Sequence, residues 1–286
     1  MKRGFSIRLF LADGTAEGLR IAEKSNWVGR GIICSRTRYA EVSDRQEFHK
    51  TGVYLLVGLS EALQLPRIYI GEGDPAGLRL DDHCHKKPFW TYLVLFVSKD
   101  DNLNKAHVQY LESKLIALAK KASRCELENV RNEALPSLSE SDAADVDGFL
   151  EEMLLILPVL GISAFELPQV TPNRVVQLRL KAKGLTATGY QSTQGFVVLK
   201  DSESPLQEVD SISEGITAHR KALQANGIFE RRADRFVLTQ NHEFTSPSLA
   251  AGVMLARTAN GRTEWKTDDG RTLREIQEQT TLSQSE

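Results

Sequence analysis

The sequence predicts an α+β fold, and three observations support that class. Hydrophobic residues make up 41% of the chain and charged residues 26%, a balance that allows a globular core. Short alternating or continuous apolar runs, bounded by turn residues, predict strands. Longer stretches with apolar residues at helical spacing predict helices between those strands. Interleaved strands and helices in one chain favour layers of sheet packed against helix.

The most regular pattern lies within residues 46–135, which we predict to be one domain. Its expected elements are strands at 52–58, 67–71 and 90–98 and helices at 76–86 and 104–122. The order β-β-α-β-α predicts a compact α+β unit.

The flanking segments give three further regions. Residues 1–45 are expected to form a β-rich N-terminal extension, and residues 136–170 a connecting helix that begins at the potential N-cap Ser139. Residues 171–286 are expected to form a second α+β domain. Its predicted elements are strands at 175–180, 195–199, 235–238 and 263–266 and helices at 211–225 and 249–255.

Composition narrows the classes of function. No apolar run approaches the roughly 20 residues of a membrane-spanning helix, and no apolar segment typical of a signal peptide follows the N-terminus. Cys34, Cys84 and Cys125 are far apart, which is typical of reduced cytoplasmic thiols. The formal net charge of −2 gives no sign of the basic surface that tight DNA binding usually needs. We therefore expect a cytoplasmic protein without a membrane partner.

One acidic residue stands out on the helix predicted at 104–122. At about 100° per residue, Glu112 falls within the apolar arc of that helix, whereas Lys120 and Lys121 lie on the opposite side. A buried carboxylate needs a cation, a donor network or a proton. Glu112 could therefore bind Mg²⁺ or Mn²⁺, which favour oxygen ligands, or form a structural salt bridge with an arginine.

A group of polar and aromatic residues precedes this helix. Arg79 and His83 are four residues apart on the helix predicted at 76–86 and share a face. An arginine fork suits a phosphate, and a histidine can position or deprotonate a water, although both could equally be ordinary surface residues. Tyr54 and Tyr69 could be packing residues of their strands or groups that converge on a substrate.

Two three-residue motifs connect these residues. Gly52-Val53-Tyr54 opens one predicted strand, and Tyr69-Ile70-Gly71 lies in the next. With the arginine, the histidine and the glutamate that follow, this part of the chain resembles the GIY-YIG nuclease superfamily. The resemblance covers about residues 50–130. It implies a small core, a central three-stranded antiparallel sheet flanked by helices, that cuts nucleic acid with one metal ion.

The resemblance also implies a role for each matching residue. The catalytic residues would be Tyr54, Tyr69, Arg79 and His83, and Glu112 would bind one Mg²⁺ or Mn²⁺ ion. The substrate would be bound by Lys86, Lys87 and an asparagine after the glutamate, with Asn129 the first candidate and Asn132 the second. Members of the family often carry a lysine directly after Tyr-Ile-Gly, whereas this chain carries Glu72. The positive charge for phosphate binding would then come from elsewhere, for example Lys86 or Lys87.

The C-terminal region has a second recognisable pattern. Its most distinctive parts are residues 195–200, residues 244–251, Asn260-Gly261, Trp265 and Gly270. Together they resemble a small domain of unknown function often appended to bacterial nucleases. This resemblance implies no chemistry, and both a packing module and a substrate-recognition module are compatible with it.

We therefore expect a cytoplasmic, bacterial, metal-dependent endonuclease that hydrolyses phosphodiester bonds, with DNA as the expected nucleic acid. One alternative is a module that kept the nuclease fold but only binds nucleic acid or a protein, which Glu72 and the slightly acidic charge favour. Another is a regulatory subunit whose C-terminal domain binds a protein partner or a second copy of the chain.

Overall fold

The computed structural model of the chain describes residues 4–60, 63, 65–129, 135–167, 175–182 and 184–283. They form two compact units. The first is drawn from Met1–Ser60, Leu65–Lys120 and Cys125–Phe165, and the second from Glu61–Gln64, Lys121–Arg124 and Glu166–Glu286. Both contain helices and strands, which confirms the predicted α+β class. No helix in the described residues is long and apolar enough to cross a membrane.

Seven strands in the described part of the first unit form one sheet. In chain order they are β1 (Ile7–Leu11), β2 (Arg20–Lys24), β3 (Gly29–Ser35), β4 (Gly52–Ser60), β5 (Leu65–Gly73), β6 (Trp90–Ser98) and β7 (Glu126–Leu127). Their order across the sheet is β1-β2-β3-β6-β4-β5-β7. The pairs are antiparallel except for the short parallel pair of β5 and β7. The expected three-stranded antiparallel core is present as β5-β4-β6, in the middle of a wider sheet.

The segment predicted as an N-terminal extension supplies β1, β2 and β3. Strand β3 pairs with β6 along its whole length, from Gly29 opposite Ser98 to Ser35 opposite Tyr92. The β-rich segment therefore continues the sheet that carries the two motifs.

The first unit also contains four α-helices in its described residues. They are α1 (Tyr39–Val42), α2 (Ala76–Lys86), α3 (Lys105–Ala122) and α4 (Glu140–Ile156). The bounds of α2 and β6 are those predicted from the sequence. Ser139 caps α4 as expected, because its hydroxyl accepts a hydrogen bond of 3.1 Å from the backbone N–H of Asp142.

Each face of the sheet has its own apolar core, because successive side chains of a strand point to opposite faces. On one face, Leu55 of β4 belongs to a cluster with Leu111 of α3 and Met153 of α4. On the other face, Tyr54 of β4 belongs to a cluster with Leu80 of α2. The tyrosine of the first motif therefore shares its face of the sheet with the helix that carries Arg79 and His83.

The second unit has smaller sheets and short helices. Its elements are β8 (Leu178–Ala182), β9 (Leu185–Gln191), β10 (Phe196–Val198), β11 (Glu203–Pro205), α5 (Glu214–Ala225), β12 (Phe229–Arg232), β13 (Arg235–Leu238), β14 (His242–Phe244), α6 (Pro247–Leu255), α7 (Gly261–Glu264) and α8 (Leu273–Ser283). In the described residues, one sheet has the order β14-β10-β9-β8 and another the order β11-β13-β12. Its own apolar core includes Phe196, Leu238 and Trp265.

The strand predicted at 263–266 is wrong, because this segment begins with the helix α7. The side chain of Asn260 accepts a hydrogen bond of 3.0 Å from the backbone N–H of Arg262 and so caps the first helical turn. Lys266 makes only isolated bridges, with Arg179 and Thr272. Asn260 and Gly261 therefore start a helix and do not form a turn before a strand.

Candidate active site

The pairing of β4 with β5 places the two motif tyrosines on one face of the sheet. Tyr54 is opposite Gly71, and Tyr69 is opposite Leu56, so the tyrosines are diagonal neighbours. Their ring centroids lie 6.4 Å apart. Tyr54 is fully buried, and Tyr69 is partly buried. The register of one hairpin therefore brings together two side chains that are fifteen residues apart in the sequence.

Gly71 leaves room for the ring of Tyr54. A Cβ atom at Gly71 would lie 2.6 Å from both Cζ and Oη of Tyr54. Two carbon atoms in contact are normally about 3.5–4.0 Å apart, so no larger residue fits without a shift. The glycine of the second motif therefore accommodates the tyrosine of the first.

Helix α2 adds His83 to the tyrosine pair. The centroid of its ring lies 4.9 Å from that of Tyr69 and 5.9 Å from that of Tyr54. The side chain is buried, and neither ring nitrogen has a hydrogen-bond partner among the described residues. Burial, assisted by the charges of Lys87 and Arg79, lowers the pKa of His83 to about 4. The imidazole is therefore neutral near pH 7 and keeps one nitrogen that can accept a hydrogen bond.

Arg79 lies one helical turn before His83 and next to Tyr54. Burial raises the pKa of Tyr54 above its usual range, Tyr69 adds to the effect, and the guanidinium of Arg79 opposes it. Arg79 acts on the hydroxyl of Tyr54 both through its charge and as a nearby hydrogen-bond donor, although the two form no hydrogen bond of good geometry in the described residues. Tyr54 is therefore a protonated phenol near pH 7 and is suited to donating a hydrogen bond.

Glu112 lies in the middle of α3 and is only 7% exposed, as the apolar arc of the helix predicts. After burial and Tyr69, its charge is a further contribution that raises the pKa of Tyr54. The predicted metal ligand and a predicted catalytic tyrosine are therefore electrostatic neighbours, although they are 58 positions apart in the sequence.

The residue after the second motif, Glu72, is bound by a lysine from another element. Its carboxylate is 6% exposed and accepts hydrogen bonds of 2.7 Å and 2.6 Å from Nζ of Lys105, at the start of α3. Glu72 also lies close to Arg79. Burial lowers the pKa of Arg79, but the interactions with the tyrosines Tyr54 and Tyr69 and with the carboxylate of Glu72 outweigh it and raise that pKa. The acidic residue at the expected lysine position is therefore neutralised locally.

The two lysines predicted to bind substrate have different environments. Lys86 is exposed and forms an ion pair of 2.6 Å with Asp82, one turn earlier on α2. Nζ of Lys87 lies 4.1 Å from the centre of the Tyr69 ring, which is cation–π geometry. Of the two, Lys87 directly adjoins the tyrosine pair.

Asn129 has a backbone role in the structure. Its Oδ1 accepts a hydrogen bond of 2.9 Å from the N–H of Ile70, and its Nδ2 donates one of 2.7 Å to the carbonyl of Ile70. The side chain thereby continues the edge pairing of β5 beyond Ile68, where the pairing with β7 stops. Substrate binding by Asn129 stays a prediction and would compete with these bonds. The second candidate, Asn132, lies outside the described residues.

The end of α2 is held by Arg36, a residue that sequence reasoning missed. Its Nη1 donates to the carbonyl of Lys87 at 2.8 Å, and its Nη2 donates to the carbonyl of Cys84 at 2.7 Å. The last carbonyls of a helix lack partners within the helix, so Arg36 fixes the turn beside His83. No local pattern could have revealed this contact, because Arg36 is 48 residues from Cys84 in the sequence.

The surroundings of Glu112 fit a divalent ion held by one carboxylate. Mg²⁺ commonly keeps several waters and takes only one or two carboxylates together with phosphate oxygens. The hydroxyl of Tyr54, buried near Glu112 without a partner in the described residues, is a polar atom that a metal-bound water could satisfy. In the same residues, no group of three or more His, Cys, Asp or Glu side chains could hold a metal ion. Glu112 would then be the protein ligand.

Comparison with known proteins bears on the second unit, whose described strands and helices begin at Leu178. Residues 178–277 match the domain of unknown function DUF4357. Neither the curated proteins nor the solved structures gave a match. The DUF4357 segment lies within the region 171–286 that the sequence suggested as a second domain.

A buried arginine organises the DUF4357 segment. Arg220 of α5 is fully buried and donates hydrogen bonds of 2.6 Å to Oγ of Ser204 and to the carbonyl of Pro205. It also forms an ion pair of 3.0 Å with Glu208. These partners satisfy a charge that would otherwise be costly to bury. The fully buried charge of Arg220 therefore joins α5 to β11 within the segment that matches DUF4357.

Proposed function

We propose that the first unit is a metal-dependent endonuclease that hydrolyses phosphodiester bonds of nucleic acid, with DNA as the substrate. The observation that carries this proposal is the grouping of Tyr54, Tyr69, Arg79, His83 and Glu112 around one hairpin. Outside a functional site, a buried carboxylate, a buried neutral histidine and a buried phenol that makes no hydrogen bond of good geometry in the described residues would be a costly combination. The free thiols of the chain support the cytoplasm as its compartment.

Each side chain has a distinct chemical task in the proposed reaction. Arg79 balances the negative charge that develops on the scissile phosphate. Tyr54, protonated near pH 7, donates a hydrogen bond to a phosphate oxygen or to the attacking water. Tyr69 orients that water through its hydroxyl, and the neutral His83 accepts the proton that the water loses. Glu112 holds one Mg²⁺ or Mn²⁺ ion, whose chemistry when bound is to polarise the phosphate and stabilise the leaving oxygen.

The test is cleavage of supercoiled plasmid by the purified protein in Mg²⁺ or Mn²⁺. We expect the parent to nick the plasmid and Glu112→Gln to slow nicking by about 100-fold or more, because the ion loses its ligand. Glu151→Gln, at an exposed position of α4, is the matched control and should cut like the parent.

Glu72 and the formal net charge of −2 favour a second candidate function. Both favour a module that kept the nuclease fold but only binds nucleic acid or a protein. This alternative predicts that neither the parent nor Glu112→Gln cuts any nucleic acid, and that both bind their partner equally well without a metal. Cutting by the parent alone would exclude it.

A further inference from the structure

The ion pair of Glu72 and Lys105 presents its positive end to solvent. Both carboxylate oxygens of Glu72 accept hydrogen bonds from the same ammonium. The side chain of Glu72 is 8% exposed, whereas that of Lys105 is 50% exposed. A solvent-borne anion approaching this pair therefore meets the lysine and not the carboxylate.

One N–H group of the Lys105 ammonium is left without a partner in the described residues. A lysine ammonium carries three N–H groups. Two of those of Lys105 point to the carboxylate oxygens of Glu72, and the described residues offer no other partner. Glu72 therefore fixes the position of the lysine side chain while leaving one N–H for a ligand.

The pair lies at the candidate active site. Glu72 directly follows Gly71, and it is close enough to Arg79 to contribute to the electrostatics of that guanidinium. Lys105 precedes Glu112 by seven residues on α3, close to two full turns, so both lie on one side of the helix. The rise between them along the helix axis is about 10 Å.

We propose that Lys105, held in place by Glu72, is a phosphate-binding residue for the nucleic-acid backbone at this site. The proposal rests on the proposed function and gives that site its substrate contact. It explains why an acidic residue is tolerated where related nucleases often carry a lysine, because α3 supplies the cation that β5 lacks. Lys86 fits this role less well, since its ammonium is paired with the carboxylate of Asp82, one turn earlier on α2.

The experiment measures binding of the full-length protein to a fluorescently labelled DNA duplex at several salt concentrations, without divalent metal. The key variant is the double exchange Glu72→Gln and Lys105→Gln, which removes both charges and keeps two hydrogen-bonding side chains. A matched control is Lys24→Gln with Glu152→Gln, which removes an ion pair elsewhere in the first unit. Circular dichroism and thermal unfolding verify that each variant is folded.

We expect the slope of log K against log salt to fall by about 0.9 in the Glu72–Lys105 variant, the share of one phosphate contact. The affinity at low salt should fall about tenfold, and the Lys24–Glu152 control should keep the parent's slope. Lys105→Arg should retain most of the affinity, because the charge remains.

A folded Glu72–Lys105 variant with the parent's slope and affinity would overturn the proposal. So would a parent that does not bind the duplex. The proposed function fails separately, when the parent binds DNA but never cuts it, or when Glu112→Gln cuts as fast as the parent.

Discussion

At the scale of single residues, burial sets the protonation state of the groups at the candidate site. Burial lowers the pKa of His83 to about 4 and raises the pKa of Tyr54 above its usual range. Near pH 7 the histidine is therefore an acceptor and the phenol a donor. Arg79 supplies a positive charge that acts on both groups. The site can thus present an acceptor, a donor and a cation without changing the charge of any buried group.

The exchange Tyr54→Phe tests whether the hydroxyl is kept for function. It removes a buried polar atom that makes no hydrogen bond of good geometry in the described residues, so the free energy of unfolding should change by less than about 1 kcal/mol. Plasmid cutting should nevertheless slow by about 100-fold. Urea unfolding and a nicking assay on the same preparation check both halves. An unchanged cutting rate would show that the hydroxyl has no part in the reaction.

The exchange Gly71→Ala tests the fit between the two motifs. Its Cβ would lie 2.6 Å from the Tyr54 ring, so we expect a loss of about 1–3 kcal/mol in the free energy of unfolding, together with slower cutting. Gly148→Ala is the control, because nothing lies within 4 Å of its Cβ and it is in the exposed interior of α4. That control should gain about 0.5–1 kcal/mol. Equal stability of the two variants would contradict the close fit at Gly71.

At the scale of elements, the site is built by one hairpin and two helices that meet it. The antiparallel register of β4 and β5 aligns the tyrosines, and a shift by one residue would turn one of them to the other face of the sheet. Helix α2 carries Arg79 and His83 on one face, four residues apart. The orientation of α2 therefore decides whether the arginine and the histidine reach the tyrosines.

The exchange Arg36→Ala tests the anchoring of α2. It removes two hydrogen bonds from a charged group to the carbonyls of Cys84 and Lys87, so we expect a loss of about 2 kcal/mol in the free energy of unfolding. Arg38→Ala is the control, because its ion pairs are partly exposed and should cost less than about 1 kcal/mol. Urea unfolding measures both. A similar small loss in the two variants would mean that Arg36 does not hold the helix.

At the scale of the whole molecule, each unit buries neutral histidines. Burial lowers the pKa of His83 in the first unit to about 4. In the second unit, burial lowers the pKa of His219 to about 4, and burial together with His219 and Arg124 lowers that of His242 to about 3. An imidazole in the unfolded chain takes up a proton near pH 6.5, well before these buried groups do.

Stability should therefore fall as the pH falls from about 6.5 towards 4. In this window the unfolded chain binds more protons than the folded one, at about 1.4 kcal/mol per pH unit for each such histidine. Urea unfolding at a series of pH values measures the slope of the free energy of unfolding against pH. His219→Gln should reduce this slope by the contribution of one histidine. His85→Gln, at an exposed position, is the control and should keep the parent's slope. A stability that is flat between pH 6.5 and 5 would contradict buried neutral imidazoles.

Local patterns in the sequence predicted the elements with strong periodicity. The continuous apolar run gave β6, the helical spacing gave α2 and α3, and the apolar arc of α3 predicted that Glu112 is buried. The strands β2, β7, β9, β11, β12 and β14 were not predicted. All of these except β9 have five residues or fewer, and such short runs carry little periodic signal.

The sequence by itself determined the residue types of the candidate site, their spacing and the α+β class, because periodicity and turn chemistry are local properties of the chain. Only the tertiary structure decided which side chains meet. Asn129 binds the backbone of Ile70, Arg36 holds the end of α2, and Lys105 neutralises Glu72. These contacts join residues that are 59, 51 and 33 positions apart, so they depend on how the strands and helices pack and not on any local pattern.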